Sequence, residues 1–188
     1  MNFHDAVRAR RSCRSFRPDP VPREILERVA EAATWAPSGK NRQNWRIFVV
    51  QGEARDRLAD LSARSFVHQE ASLRRLYGEK TVEFTRGFFR NFGGAPVVLV
   101  VYVEKSEDGP FTDVQTGAAA VENALLACTA EGLQGCWMTG PAVFAAEIDA
   151  LLGGAGLELV ALVPVGYPAR EAPAPPRKPG RVVWVGFP

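Results

Sequence analysis

The sequence predicts an α+β fold in which a small sheet is packed between helices. Three short segments rich in β-branched residues occur at 45–51, 96–103 and 158–167. Each is bounded by Gly, Pro or charged residues, as buried strands are. Long stretches with helical periodicity separate these few strands. This spacing favours an α+β arrangement over a regular alternation of strand and helix.

The helices are predicted from apolar periodicity and from their end signals. A short helix covers 3–8, and Pro22 opens a second helix that stops before Pro37. Four residues of the second helix form a core-facing stripe: Ile25, Val29, Ala32 and Ala33. Further helical patterns cover 53–63, 68–92, 113–131 and 141–152, and a short extended piece covers 134–138.

Length and composition are those of a single globular domain. The 188 residues are 46% hydrophobic and 23% charged, and a chain of this size buries roughly 70% of its unfolded surface. No repeat or low-complexity linker interrupts 1–168, so we expect one domain over 1–188. Five prolines in 168–179 predict that 168–188 forms an extended C-terminal arm.

The charge balance argues against several classes of partner. Lys and Arg number 23 against 21 Asp and Glu, a net charge of +2, which creates no global attraction to nucleic acid or to an anionic membrane. The longest apolar stretch, 97–103, is far shorter than the ~20 residues of a membrane helix. The N-terminus lacks the apolar region of a signal peptide. We therefore expect a soluble, cytoplasmic protein.

The cysteines and histidines do not form a metal-binding pattern. Cys13, Cys128 and Cys136 show no CxxC spacing, and His4 and His68 are far apart. We expect no structural zinc site. The position of Cys128 in a run of Ala and Leu is typical of a small buried side chain, and all three cysteines are interpreted as non-catalytic.

The densest chemical signal is the segment 10–17, RRSCRSFR. Guanidinium groups suit phosphate because their planar fork of donors matches its oxygens. The same run is also typical of a solvated surface. A third interpretation of the run is a small basic module that binds nucleic acid.

The loop 36–45, APSGKNRQNW, holds the second signal. Its side-chain amides and exposed backbone N–H groups suit the edge of a planar heteroaromatic ring, which alternates donors and acceptors. The alternative is an ordinary turn in which Ser38 and Asn41 cap the local backbone.

Taken in order, the motifs RRSCRSF, PVPREIL, APSGKNRQNW, DVQTGAAAVEN, GCWMTG, GYP and PRKP span almost the whole chain. In this order they resemble the nitroreductase family of FMN-dependent oxidoreductases. Asn44 departs from the pattern, because the family commonly has Pro before the Trp. The segment 65–92 matches no family motif.

The resemblance implies a fold, an assembly and a set of flavin ligands. The fold would be a central, mostly antiparallel sheet flanked by helices, in an intertwined homodimer that exchanges its C-terminal arms. The implied FMN ligands are Arg10, Arg11, Ser12, Arg14, Ser38, Asn41, Gln43, Thr139, Gly140, Arg177 and Lys178. The role of Arg11 stays open, since it could also be a solvated side chain.

The resemblance also implies what these groups would do. Arg10 and Ser12 would lie toward the phosphate and ribityl end of FMN, with Arg177 and Lys178 as a second phosphate clamp. Arg14 would lie beside N1 and O2 of the ring, where a fixed cation stabilises the charge of the reduced flavin. The loop 38–43 would contact the ring and the ribityl chain. Thr139 and Gly140 would supply backbone donors near N5.

The implied reaction is a ping-pong cycle. NADH or NADPH would give a hydride to flavin N5 and leave before a nitroaromatic, quinone or similar planar acceptor takes its place. No GxGxxG follows a predicted strand, so no separate dinucleotide site is expected. No catalytic side chain is predicted. Reductive dehalogenation and oxygen-dependent flavin cleavage, known in the same superfamily, stay open as alternatives.

Two patterns allow a structural as well as a functional interpretation. Four phenylalanines recur at helical spacing and predict core packing or an acceptor pocket: Phe84, Phe88, Phe89 and Phe92. Small residues make the helix over 113–131 thin, which suits either a homodimer contact or an interior helix: Gly117, Ala118, Ala119, Ala120 and Ala124.

Overall fold

A four-stranded antiparallel sheet forms the centre of the computed structural model, which describes residues 1–187. The strands are β1 (Trp45–Val50), β2 (Val97–Glu104), β3 (Gln134–Gly135) and β4 (Leu157–Gly166). Their order across the sheet is β1-β2-β4-β3, and every pairing between them is antiparallel. The predicted α+β fold with an antiparallel sheet is confirmed.

Helices cover both faces of this sheet. They are α1 (Phe3–Ala9), α2 (Arg23–Thr34), α3 (Gly52–Ser65), α4 (Val67–Tyr77), α5 (Glu79–Asn91), α6 (Pro110–Ala130) and α7 (Ala145–Leu152). Short 3-10 turns cover Gly39–Asn41, Phe92–Gly94 and Gly140–Phe144.

The continuous apolar run of β2 serves two cores at once, because successive side chains of a strand point to opposite faces. Leu99 and Val101 pack with α2 and α6 on one face. Val100 and Tyr102 pack with α3, α5 and α7 on the other. This double burial explains why β2 has no polar alternation.

Three sequence predictions about the helices need correction. The single helix predicted over 68–92 is divided into α4 and α5 by Gly78, whose φ of 78° is left-handed. The helix predicted over 141–152 begins with a 3-10 turn. In α2 the predicted stripe omits Leu26, which is buried, whereas Ile25 is only partly buried. The periodicity thus predicted the buried face of α2 but placed its first residue one position too early.

The small residues of α6 fit it tightly onto its own sheet. A Cβ at Gly117 would lie 2.6 Å from Cγ2 of Val160, and Ala120 and Ala124 are buried in the same core. For these residues the interior interpretation is confirmed. Ala118 and Ala119 are only partly buried, so α6 presents small side chains at these positions on its outer side.

The C-terminal arm leaves its apolar residues uncovered. Within the described part of the arm, 168–187, the chain forms no regular helix or strand. Its large apolar residues are at least 67% exposed: Val182, Val183, Trp184, Val185 and Phe187. Pro188, the last residue of the predicted arm, lies outside the described residues. Among residues 1–187, no helix has the length and apolarity to span a membrane.

Candidate functional site

The Arg-rich segment is held in an extended conformation beside the sheet. The Cys13 N–H donates to the Gly135 carbonyl at 3.1 Å, and the Phe16 N–H donates to the Gly93 carbonyl at 2.8 Å. Cys13 is buried, whereas Ser12 and Arg14 on either side of it are exposed. This alternation is that of a strand with one buried face, and it points Ser12 and Arg14 away from the core.

Arg10 and Arg11 lie where α1 ends. Nε of Arg10 is 3.8 Å from Oε1 of Glu122 on α6. The guanidinium of Arg11 turns back, and its Nη1 donates to the carbonyls of Arg8 at 2.5 Å and Arg10 at 2.8 Å. Cations at a helix C-terminus commonly bind its free carbonyls in this way. The side chain of Arg11 therefore has a structural partner of its own.

Arg14 meets the predicted N5 segment at one pocket. Arg14, Thr139 and Gly140 line a cavity of about 470 Å³, a size within the usual range for small-molecule sites. Further lining residues come from α4 and α5 and include Phe84, Phe88 and Phe89. Phe88 and Phe89 are buried, but Phe84 is 47% exposed. The phenylalanine pattern thus supplies core and pocket wall together.

The C-terminal arm adds a cation that sequence reasoning missed. A second cavity, of about 310 Å³, is lined by Ser12, Arg14, Phe84 and the first part of the arm, including Arg170. Burial raises the pKa of the Cys13 thiol, while the positive charges of Arg14 and Arg170 act in the opposite direction. The carboxylate of Glu171 lines this cavity beside the two guanidinium groups. Arg170 lies in a proline-rich segment that carries no local signal for a site.

The loop 38–43 has a strained backbone. Lys40, Asn41 and Gln43 have φ values of 51°, 54° and 53°, a region that residues other than Gly rarely adopt. Oγ of Ser38 accepts a hydrogen bond from the Gln43 N–H at 2.9 Å, and Gln43 Nε2 donates to Asn41 Oδ1 at 3.1 Å. Strained backbone conformations persist only where the surrounding structure maintains them, and they are concentrated at functional sites.

Ion pairs fasten this loop to the start of α6. Nζ of Lys40 lies 2.6 Å from Asp108, and Nε of Arg42 lies 3.0 Å from the same carboxylate. These two cations, Lys40 foremost, hold the pKa of Asp108 below its ordinary value. The cationic side chains of the loop are thus occupied, while Ser38, Asn41 and Gln43 form its remaining polar surface.

The hydrogen bonds of Asn44 give a structural reason for its departure from the family pattern, which commonly has Pro at this position. Its buried amide donates to the Glu104 carbonyl at 2.7 Å and to Oδ1 of Asp113 at 2.9 Å. Asp113 also accepts hydrogen bonds from the Ser106 N–H and hydroxyl, at 2.8 and 2.6 Å. These bonds, with the Ser106 hydroxyl first, lower the pKa of Asp113. Where a proline would restrict the backbone, the Asn44 amide instead anchors the end of the loop to Glu104 and Asp113.

The structure gathers one group of the predicted ligands and leaves the others apart. A Cβ at Gly39 would lie 3.1 Å from Thr112, near the start of α6, whereas Arg10 lies beside Glu122. Ten helical residues separate Thr112 from Glu122, about 15 Å along the axis. Within the described chain, the loop 38–43 therefore does not line the pocket of Arg14.

The remaining predicted ligands, Arg177 and Lys178, are exposed on the arm. Cys128 is fully buried, and burial raises the pKa of its thiol to about 12, which suits the non-catalytic interpretation. Gln69, which sequence reasoning also missed, lines the same pocket as Arg14. A neutral amide in a polar helix gives no sequence signal for such a position.

Comparison with known proteins adds independent findings. A model described as the Nitroreductase family matches residues 7–167. Nitroreductase NfnB of Mycolicibacterium smegmatis is 27% identical, over 86% of this chain and 80% of the relative. Iodotyrosine deiodinase of Thermotoga neapolitana is 30% identical, over 93% of each chain. A single-residue variant of the FMN and NADPH-dependent nitroreductase NfnB from Sphingopyxis sp. strain HMH superposes over 100% of both chains, with a TM-score of 0.81 and 26% identity.

Proposed function

The chain belongs to the nitroreductase family, and on that premise we propose that it is an FMN-dependent NAD(P)H oxidoreductase. Hydride would pass through flavin N5 to a nitroaromatic, quinone or similar planar acceptor. The observation that carries the proposal is the convergence of Arg14, Thr139 and Gly140 on one pocket with an aromatic wall. The Sphingopyxis relative, described as FMN and NADPH-dependent, supports the same cofactor and donor.

The residues present fit FMN. Arg10 and Ser12 offer a guanidinium and a hydroxyl to a phosphate and a ribityl chain. Phenylalanine rings facing the backbone of Thr139 and Gly140 suit a planar ring system. When bound, FMN supplies the chemistry of accepting and donating a hydride. The protein's part is to bind and orient it and to hold positive charge at Arg14.

The guanidinium of Arg14 is free to meet a ligand. Its side chain is exposed, and the hydrogen bond found for it within residues 1–187 is a long one, 3.4 Å to the Ser12 carbonyl. A cation held by a short buried ion pair would already be neutralised. Arg14 instead lines the pocket, where its charge would stabilise the anionic edge of a bound ring.

A homodimer completes the site in this proposal. The loop 38–43 and the exposed arm would come from a partner copy and bring Ser38, Asn41, Arg177 and Lys178 to the Arg14 pocket. The exposed apolar residues of 182–187 need such a cover.

The free edge of β1 offers a place for the arm. Within residues 1–187, β1 pairs with β2 on one side only. A groove of about 460 Å³ runs along this region and is lined by Val21, Leu26 and Val49, among others. An added edge strand would pair with the free N–H and C=O groups and cover the groove. Each 1–188 chain would then be one flavin-binding domain that gives its arm to the other.

Reductive dehalogenation is the second candidate. The iodotyrosine deiodinase of Thermotoga neapolitana matches this chain over 93% of both lengths at 30% identity. Halogenated aromatics are planar and would suit the same phenylalanine wall.

Anaerobic spectroscopy tests the function. We expect the purified protein to be yellow, to bleach on addition of NADH or NADPH without oxygen, and to regain its colour with one acceptor class. The panel should contain a nitroaromatic, a quinone, a halogenated phenol and oxygen. A colourless protein that cannot be loaded with FMN would refute the proposal. Rapid reoxidation by the halogenated phenol alone, with release of halide, would favour the second candidate.

Truncation tests the shared site. Deleting 170–188 should lower FMN affinity and dissociate the dimer, because it removes both the phosphate clamp and the edge strand. Replacing Arg177 and Lys178 by Ala should lower FMN affinity and leave the dimer intact. Flavin content and sedimentation velocity distinguish the two variants. A truncated protein that stays a yellow dimer would contradict the role of the arm.

A further inference from the structure

The amide of Gln69 is an unsatisfied donor at the edge of the candidate pocket. Gln69 lies on α4 and lines the same cavity as Arg14, Thr139 and Gly140. Its Nε2 is buried and has no hydrogen-bond partner within residues 1–187. A buried donor without a partner is costly, and structures rarely keep one without a reason. The amide therefore gains free energy from any oxygen that it can reach.

The position of the amide ties it to the place where the flavin reacts. A Cβ at Gly140 would lie 1.8 Å from Nε2 of Gln69 and 3.0 Å from Cε1 of Phe89. The amide thus fills the space that a side chain at residue 140 would occupy. By the family resemblance, the backbone of Gly140 lies near flavin N5. An acceptor placed to receive a hydride from N5 would be a near neighbour of Gln69.

The backbone that carries Gln69 is firmly held. Glu70, the next residue, accepts hydrogen bonds at 2.8 Å from both Arg74 and Arg86, and Arg74 also pairs with Glu79 at 2.6 Å. This network joins α4 to α5. Rotation of the Gln69 side chain about its own bonds, which needs no movement of the helix, would turn the amide toward the cavity.

The chemistry of the wall selects the kind of ligand. Around Gln69 the polar lining residues from α4 and α5 are neutral: Tyr77, Thr81 and Thr85. Arg14 is the one charged residue among those lining this cavity within the described chain. A planar ligand that carries an oxygen with free lone pairs fits this set of donors.

We propose that the Gln69 amide binds an oxygen of the planar acceptor and determines specificity for acceptors that carry such an oxygen, as nitro and carbonyl groups do. The inference rests on the proposed function and refines it. Gln69 would be a binding residue that aligns the acceptor over the ring. An acceptor without a hydrogen-bonding oxygen would gain nothing from it.

Binding of a ligand that is not reduced tests the proposal directly. Benzoate is the probe, because its carboxylate has the shape of a nitro group, and its binding can be followed by the change in flavin absorbance of the oxidised protein. We expect Gln69→Leu to raise the Kd of benzoate about tenfold, the equivalent of ~1.4 kcal/mol. His68→Leu, a change on the neighbouring exposed residue of α4, is the matched control and should leave the Kd within twofold.

Reoxidation kinetics provide a second measurement. With protein reduced by dithionite, Gln69→Leu should slow reoxidation by benzoquinone about tenfold and alter reoxidation by ferricyanide less than twofold, because that outer-sphere oxidant needs no donor in the pocket. Gly140→Ala should imitate the loss, since its Cβ displaces the Gln69 amide. Combined with Gln69→Leu it should add little further loss.

The two failures are distinguishable. A yellow, reducible Gln69→Leu protein that binds benzoate as the parent does would overturn the role of Gln69 and leave the proposed function standing. A parent protein that cannot be loaded with FMN would overturn both.

Discussion

Replacement of Asn44 by Ala tests how the strained loop is held in place. Asn44 is 6% exposed, and its amide donates to the Asp113 carboxylate and to the Glu104 carbonyl. A hydrogen bond to a charged group contributes about 1.5–3 kcal/mol and one between neutral groups about 0.5–1.5 kcal/mol. Since the variant removes this donor from the buried Asp113 carboxylate and from the partly buried Glu104 carbonyl, we expect the free energy of unfolding to fall by ~3 kcal/mol.

Thermal unfolding of the flavin-free protein measures this loss. In a domain of this size each kcal/mol shifts Tm by roughly 2–4 °C, so Asn44→Ala should lower Tm by about 9 °C. Asn41→Ala is the matched control from the same loop. Its exposed side chain accepts only from Gln43 among the hydrogen bonds found for it in residues 1–187, and Ala is disfavoured at its φ of 54°, so its effect should stay within about 1 kcal/mol. A shift below about 2 °C for Asn44→Ala would refute the anchor.

The pH dependence of the same variant identifies the partner. Because the folded state lowers the pKa of Asp113 from 3.8, its carboxylate stabilises the fold above that pH, and this contribution is lost as the pH falls through the folded pKa. Asn44 supplies part of the effect. The difference in stability between parent and Asn44→Ala should therefore shrink as the pH falls below about 4. A difference independent of pH would assign the loss to the Glu104 carbonyl alone.

Three further predictions concern the flavin site and the core. Arg14→Ala should lower the FMN reduction potential and slow reduction by NAD(P)H, with a loss of about 2 kcal/mol; an unchanged potential in a flavin-loaded variant contradicts its placement. Replacing Ser38 and Asn41 together by Ala should weaken FMN retention and lower the Tm of the flavin-free protein by only a few degrees, because both groups belong to a surface loop; a large Tm loss with normal retention would favour an ordinary turn. Burial raises the pKa of Cys128 from 9.0 to about 12, so the unfolded chain loses this proton first and stability should fall between pH 9 and 12. Urea unfolding of the parent and Cys128→Ala should show the steeper alkaline decline in the parent.

Local patterns predicted most of the fold because local physics determined it. The apolar run of β2 lies where the sequence placed it, within one residue. The division between α4 and α5 depends on one glycine that also fits a helix interior. Without a second punctuating residue, the sequence could not show that Gly78 turns the chain.

The candidate site was predictable only where residue type alone carries chemistry. Arginine and serine in the segment 10–14 indicate an anion site, and the structure brings Arg14 of this segment to one pocket with Thr139 and Gly140. Asn44 was visible as a departure, but its partner Asp113 is 69 positions away. The role proposed for Gln69 depends on the space that the missing side chain of Gly140 leaves for its amide. No sequence pattern predicts which side chain fills that space.

In the proposed homodimer, the distance along α6 between the loop 38–43 and the Arg10 segment restricts how the two copies could pair. An isologous pairing matches residue i with residue j about a two-fold axis. If α6 packs antiparallel to its copy with the axis near residue 117, position 112 of one helix lies opposite position 122 of the other. The loop beside Thr112 then faces the Arg10 segment beside Glu122 of the second copy. The partly buried Ala118 and Ala119 lie at the centre of this pairing, where small side chains let the helices approach. One 21-residue helix therefore both separates the halves within a chain and would reunite them between chains.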